Sequence, residues 1–498
     1  KPLLTGTMQL FLGWLTLLTA CRVQSLAQTQ SDGFALDLLV GQQPEYAQAL
    51  RRIRNSKCED KRPAFVSQPS TSHEVEQAIV FAREHQLRVA ILGGGHSYNC
   101  HSSTAGGFLL DMVRMKQIDL NIEEKFIEVG AGSLWIEVYE VLAQTPWMVA
   151  GGLCPTVGVV GFTTGGGVSM FSRQLGMAID SLTCATVVLA NATTLRVCEG
   201  DEDRTKQDLF WALRGGGAGS FAVVISLQFR LQQLRSKDVL AGEACWHSGS
   251  EKAWLSWMSR FNLLNLSPFT ALYMRSRYVD DELHNCFTLI GNDEVEGETV
   301  VVELLAHAPS TFNITRMHWF AWIQEQHQAH GNAELSKKRV QSSSHTSFVF
   351  PSHVVGKDFA ATALMLLNAC PSLQRSGGKY ERRCHILWDH AADKSVVGES
   401  ETAYPWRGAP YVANAKCGFD DRGDARQCQN WLELTRKFLA PFSVQGVAAY
   451  SNFEDTVLSP ERALQAYYGP NLPRLRIIKE QIDPTNFFRH SQSIRLAV

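Results

Sequence analysis

A chain of 498 residues exceeds what one hydrophobic core supports, so two or three domains are expected. Its 45% apolar and 19% charged content is that of a globular protein and excludes a disordered or fibrous chain. A net charge of -2 with no long basic run argues against nucleic acid or an anionic membrane surface as a partner.

The first segment, KPLLTGT followed by MQLFLGWLTLLTACRVQSLA, holds a short apolar stretch and then small residues. It is too short to span a bilayer and reads as a secretory signal peptide over residues 1–27, cleaved after Ala27. That predicts a secreted, extracellular protein with no stable membrane association. Leu18-Thr19-Ala20-Cys21 also resembles a bacterial lipoprotein signal, which would instead anchor the chain by a lipid on Cys21. Twelve cysteines, with no CxxC and no zinc-like Cys/His spacing, fit an oxidising compartment and predict no metal site. Twelve less Cys21 leaves eleven, so at least one thiol stays outside an internal disulfide. Asn191-Ala-Thr, Asn265-Leu-Ser and Asn313-Ile-Thr are glycosylation acceptors in a secreted chain.

Further on, Thr71-Ser-His-Glu74 reads as a capping box opening a helix that carries Val75, Ala78, Ile79 and Ala82 on one face. RVAIL (88–92) and FIEVG (126–130) are strands, and WIEVYEVLAQ is an amphipathic helix. SLTCATVVLA (181–190) and TTLRVCEG form a hairpin around Asn191; DLFWALRGGGAGSFAVVISLQFRL (208–231) reads as helix, glycine turn and buried strand. From about residue 240, runs such as TALYMRSRYV (270–279) and TVVVELLAHA (299–308) predict antiparallel strands with one face covered by helices. Ser459-Pro460 starts a helix, and PRLRIIKEQID ends one at Asp483-Pro484. The fold class is α+β.

Three glycine triplets, Gly93-Gly94-Gly95, Gly165-Gly166-Gly167 and Gly215-Gly216-Gly217, sit beside apolar runs. Such backbone approaches an anion closely, but none of the three matches the nicotinamide-type GxGxxG pattern or a P-loop. Two triplet regions border a nucleophilic side chain: His96 in LGGGHSY and Cys154 in GGLCPT. An isolated His or Cys is commonly structural. Here both stand in backbone with few side chains to pack against, as a residue touching a flat cofactor ring requires.

GGGHSY, GGLCPTVGVVGFTTGGGVS, SRQLGMAIDSL, DLFWALRGGGAGSF and YSNFED…YYGPNLPRLRIIKEQIDPTNFF…QSI come in an order that resembles the berberine bridge enzyme-like flavoproteins of the vanillyl-alcohol oxidase superfamily. The resemblance runs from about residue 60 to 495. It implies a two-subdomain PCMH-type FAD-binding domain and a substrate domain with an antiparallel sheet covered by helices. On that pattern, residues 28–240 form the first part of the FAD domain, 241–449 the substrate domain, and 450–498 the berberine-bridge segment that completes the FAD domain. The resemblance makes His96 the link to the flavin 8α carbon and Cys154 the link to C6, so that FAD is held bicovalently. It makes Val157 the residue that admits oxygen to the flavin, and it carries cofactor contacts over to Gly93, Gly94, Gly95, Ser97, Tyr98, Gly158, Gly161, Gly165, Ile225 and Asn452. Tyr450 matches the tyrosine that helps remove a substrate hydroxyl proton, and Asp389 in HILWDH is the candidate acidic partner, sharing one strand face with His385 and Leu387. Cys100, Ser169, Ala222 and Trp406 depart from the family pattern, and a disulfide commonly found in that region implies pairing of Cys58 with Cys100.

The resulting expectation is a monomeric, secreted FAD oxidase that takes a small-molecule alcohol, foremost the reducing-end hydroxyl of a sugar or oligosaccharide, and reduces O2 to H2O2. The alternatives are an oxidative cyclase or dehydrogenase of a secondary metabolite such as an alkaloid, and a flavin-binding surface protein of low activity.

Overall fold

The computed structural model describes residues 36–496 apart from 218, 262, 335–341, 375–378 and 392–396. The expected signal peptide and Cys21 lie outside the described residues. No helix among the described residues is long and apolar enough to cross a membrane.

Strands Phe65–Ser67 and Val89–Leu92 pair in parallel on either side of Phe108–Asp111. The helix Ser72–Glu84 links the first two and buries Val75, Ala78, Ile79 and Ala82 completely. Thr71 Oγ1 accepts from the Glu74 N–H at 3.2 Å, and the Glu74 carboxylate reaches back to the Ser70 N–H at 2.7 Å. The capping box is thus present but closes one residue earlier than its spacing predicts.

A second sheet is antiparallel, in the order Ile118–Asn121, Phe126–Gly130, Val223–Arg230, Leu182–Val188, Thr194–Cys198. Its last two strands are the hairpin around Asn191, cross-linked by Cys184–Cys198. Helices Trp135–Leu142 and Arg204–Leu213 pack into the same core through Trp135, Val138, Leu209 and Ala212.

The third sheet has eight strands. Its main path runs Thr311–Phe312, Asp238–His247, Glu282–Gly291, Thr270–Val279, Cys384–His390, Tyr411–Phe419, Ser342–Phe350. Alternation sends Leu272, Met274, Ile386 and Trp388 to one face. There they meet Trp254 and Trp257 of helix Glu251–Phe261, Phe359 of Lys357–Asn368 and Trp431 of Arg422–Leu439. Tyr273, Arg275, His385, Leu387 and Asp389 occupy the opposite face and look into a cavity. The helix-covered antiparallel sheet is therefore as expected.

One expected strand is a helix. Residues 299–306 of TVVVELLAHA lie in the helix Glu294–Ala306, whose N-cap Asp293 accepts from the Glu296 N–H at 3.1 Å. Its β-branched run imitates a strand, but Val300 and Leu304, four apart, point into the core while Val302 and Leu305 are exposed.

Among the described residues, five disulfides join Cys58–Cys100, Cys184–Cys198, Cys245–Cys286, Cys370–Cys384 and Cys417–Cys428. The first is the pairing that the family resemblance implied. Cys100 sits at φ 61°, left-handed backbone that glycine adopts more readily than a residue with a Cβ. Among the described cysteines, Cys154 alone lies outside a disulfide.

After the third sheet the chain returns to the core of the second through helices Pro460–Tyr468 and Leu472–Ile482. Lys479, fully buried, donates to Asp483 at 2.7 Å and to the carbonyls of Ser220 and Phe488. This ties the C-terminal segment to the glycine turn before Val223–Arg230. Removing one member strands a buried charge, so Lys479→Met should lower unfolding free energy by about 3–5 kcal/mol, as read from urea denaturation.

Candidate active site

Two glycine loops touch backbone to backbone at the centre of the molecule. A Cβ on Gly94 would lie 2.3 Å from the Gly158 nitrogen, and one on Gly158 would lie 2.5 Å from the Gly94 nitrogen. Gly95, at φ +76°, leaves no room either, because a Cβ there would meet the Arg52 carbonyl. The close approach brings the loop bearing His96 against the turn bearing Cys154, which is closed by Val157 N–H donating to the Cys154 carbonyl at 3.2 Å. His96 Nε2 lies 2.8 Å from Thr156 Oγ1 in that same turn. The glycines at 151–167 thus allow a thiol-bearing loop to press against a second loop.

Both loops face one cavity of about 460 Å³. Of the residues singled out in the sequence, Gly93, Gly94, Gly95, His96, Ser97, Tyr98, Cys154, Val157, Gly158, Gly161, Asn452, Tyr450 and Asp389 all line it. Gly165 and Ile225 stand behind the wall. A Cβ on Gly165 would fall 2.0 Å from Asn452 Oδ1, so that glycine makes room for Asn452. Ile225 packs in the core beside Val89 and Ala131, and its carbonyl accepts from the Ala131 N–H at 2.8 Å.

Three N–H donors converge on Tyr450 Oη: Gly167 at 2.8 Å, Val168 at 3.2 Å and Asn452 Nδ2 at 3.0 Å. Burial pushes this phenol up to about 12, against the pull of those donors, and the Asp389 charge adds to the rise. Asp389 is pushed by burial up to about 6, with Arg275 acting in the opposite direction.

Several site residues carried no isolated signal in the sequence. Burial raises the Glu454 carboxyl, but His101 and hydrogen bonds from the Asn99 N–H and Ser97 Oγ outweigh it and hold it below the ordinary value. Glu454 thereby fastens the loop after His96 to the YSNFED segment, where its place in the motif was the available clue. Tyr98 stacks on His345 of the third sheet, with ring centroids 3.7 Å apart and planes 2° from parallel. Arg275, His385 and Lys416 also line the cavity from the third sheet.

The wall fits FAD. Bare glycine backbone forms one side, and a Cβ at Gly161 would meet nothing within 4 Å. His96 and Cys154 flank the cavity, and a polar sheet face closes it. The residues that would hold the group are those of the two glycine loops together with Asn452.

A family model described as "FAD binding domain" matches residues 63–197, and one described as "Berberine and berberine like" matches 449–495. The fold and site define an FAD-linked oxidoreductase. An FAD-linked oxidoreductase of Bacillus subtilis is 25% identical over 460 residues, covering 91% of this chain and 95% of its own. The tetrahydroberberine oxidase of Berberis wilsoniae is 25% identical over 469 residues, covering 87% and 85%. The structure of berberine bridge enzyme from Eschscholzia californica superposes with a TM-score of 0.80 at 20% identity, over 95% of this chain and 99% of that one. A grass pollen allergen with glucose dehydrogenase activity superposes at 0.78, with 21% identity over 93% and 97%. The chain thus carries both domains and is similar, over nearly its whole length, to berberine bridge enzyme-like FAD-linked oxidoreductases.

Because a Cβ at Gly94 has nowhere to go except into Gly158, Gly94→Ala should separate the loops. The purified variant is expected to lose most of its flavin, measured as the ratio of flavin to protein absorbance, whereas Gly41→Ala, in open space, should retain it.

Proposed function

We propose that the protein is a secreted oxidase whose FAD is bonded to both His96 and Cys154, and that it oxidises an alcohol, foremost the reducing-end hydroxyl of a sugar or oligosaccharide. Dioxygen is the electron acceptor and hydrogen peroxide the product. The observation that carries this reading is the presence of Tyr450 and Asp389 in one cavity with His96 and Cys154. When bound, FAD supplies the two-electron acceptor for the substrate C–H bond and passes the electrons on to oxygen.

The chain's own task is the hydroxyl proton. With its pKa near 6, Asp389 is a carboxylate at neutral pH and able to accept a proton. Tyr450 rests as a protonated phenol, and the N–H groups of Gly167, Val168 and Asn452 offset negative charge on its oxygen while the proton is in transit. Tyr450 and Asp389 act as one coupled unit that draws the proton from the substrate hydroxyl. Val157 presents a small side chain to the cavity, which leaves room for oxygen. Five disulfides are consistent with export to an oxidising compartment.

The sugar reading draws support from the pollen allergen with glucose dehydrogenase activity and from its two-substitution variant, described as a glucose oxidase. The tetrahydroberberine oxidase relative favours a second reading, oxidation of an alkaloid in the same cavity.

The test is peroxide release from purified protein offered reducing sugars and tetrahydroberberine side by side. Turnover of a sugar is expected; turnover of the alkaloid alone would favour the second reading. Asp389 must be ionised to work, so activity should be present above pH 6 and fall as pH drops through about 6. Asp389→Asn should remove that acid limb and lower kcat by about 10²–10⁴-fold.

A further inference from the structure

The outer end of the third sheet sets two histidines side by side. His247 closes the strand Asp238–His247 and pairs directly with His284 of Glu282–Gly291. Paired residues project from the same face, and here the two imidazole rings stack with centroids 4.0 Å apart and planes 21° from parallel. Glu282, two residues before His284 on the same strand, shares that face and brings its Oε2 to 3.7 Å from His284 Nε2. One ring nitrogen of each histidine and one carboxylate oxygen lie within 4.8 Å of one another. Thr311 Oγ1, on the neighbouring strand, stands 3.4 Å from His247 Nε2.

The fold fixes this arrangement before any ligand arrives. Cys245 and Cys286 form the next pair along on the same face, and their disulfide locks the register that sets the histidines opposite each other. Ser248 Oγ accepts from the Leu283 N–H at 3.1 Å, holding the chain just beyond the pair. Asp280 and Asp281, both at positive φ, form the two-residue turn that leads into Glu282. Three carboxylates thus stand at this end against two cations. Arg277 opposes His284 from Thr270–Val279, and Arg382 donates its backbone N–H to Asp281. Both histidines are half-buried and Glu282 is exposed, so an ion can reach all three from solvent. Burial and then the neighbouring His247 keep His284 below its ordinary value, which favours the neutral ring that a metal requires.

We propose that His247, His284 and Glu282 form a surface site for a divalent transition metal ion, foremost Zn2+. Two imidazoles and one carboxylate are donors that zinc takes in a three-residue site, with water completing the tetrahedron. The set suits Mg2+ and Ca2+ poorly, because those ions call for oxygen ligands. None of the three residues lines the flavin cavity, so the site stands independently of the oxidase reading. A bound ion clamps the outer ends of two strands that the disulfide joins two residues further in. Locally the sequence holds only Glu282-x-His284, and His247 comes from the neighbouring strand, which is why cysteine and histidine spacing predicted no metal site.

The experiment titrates Zn2+ into the full flavin-loaded chain, stripped of metal beforehand, and reads the heat of binding. Zn2+ should bind and should raise the midpoint of thermal unfolding. Losing a partner that merely orients a metal ligand costs about 10–100-fold in affinity, so losing a ligand should cost at least as much. His247→Ala and His284→Ala should each weaken the Zn2+ site about 100-fold, and Glu282→Gln about tenfold. Mg2+ should not displace the ion. In the wild-type protein, Zn2+ should also protect His247 and His284 from diethyl pyrocarbonate, as read by peptide mass spectrometry. That second measurement decides if a variant fails to fold. Absence of Zn2+ binding, an affinity unchanged in any of the three folded variants, displacement by Mg2+, or histidines left unprotected would overturn the proposal.

Discussion

The candidate active site depends on a contact that only glycine permits. Gly94 and Gly158 approach so closely that a single methyl on either would collide with the other's backbone nitrogen. No side-chain packing could bring two loops this near, because a Cβ alone requires more space than the gap provides. From that contact follows the position of His96 beside the Cys154 turn, and from those two side chains the shape of the cavity they border. The loop is also fixed from outside. Glu454 gathers Ser97, Asn99 and His101, and Tyr98 lies flat on His345. Segments far apart in the chain thus converge on the residues following the first glycine triplet.

The third sheet divides its labour by face. One side is an aromatic core of tryptophans and phenylalanines under three helices, which makes the sheet a rigid plate. The other side is polar, and it holds Asp389, Arg275 and Lys416 at fixed spacing over the loops. Arg173 connects the two halves: its guanidinium donates to the carbonyls of Ser267 at 2.7 Å and Leu266 at 3.1 Å, at the approach to the strand Thr270–Val279. Disulfide Cys245–Cys286 joins two strands of the sheet, and Cys417–Cys428 ties a third to the helix Arg422–Leu439 that covers it. Groups that must meet at sub-ångström precision are best carried on such a scaffold.

What could be read from the sequence was what is local. The helix from Ser72, the Asn191 hairpin and the terminal helices are set by caps, turn residues and short-range periodicity, all visible in a window of a dozen residues. The segment 299–308 misled because its run of β-branched residues favours a strand, while the decisive signal, Asp293 as N-cap, lay outside the run. His96, Cys154 and Tyr450 were legible because each stands in a dense motif. The polar side chains that the third sheet turns to the cavity were not: Arg275, His385 and Lys416 are far apart in the chain, and only strand register brings them together. Ile225 and Gly165 show the reverse case. Both stand close in sequence to wall residues, and the backbone turns both behind the wall.

If the two glycine loops converge on one flavin, a single isoalloxazine ring should join them covalently. The direct measurement is proteolysis of the denatured, disulfide-reduced protein, followed by mass spectrometry of the yellow peptides. The account predicts one flavin-linked species containing both the His96 peptide and the Cys154 peptide. Flavin released by denaturation, or recovered on a peptide that contains neither residue, would contradict it.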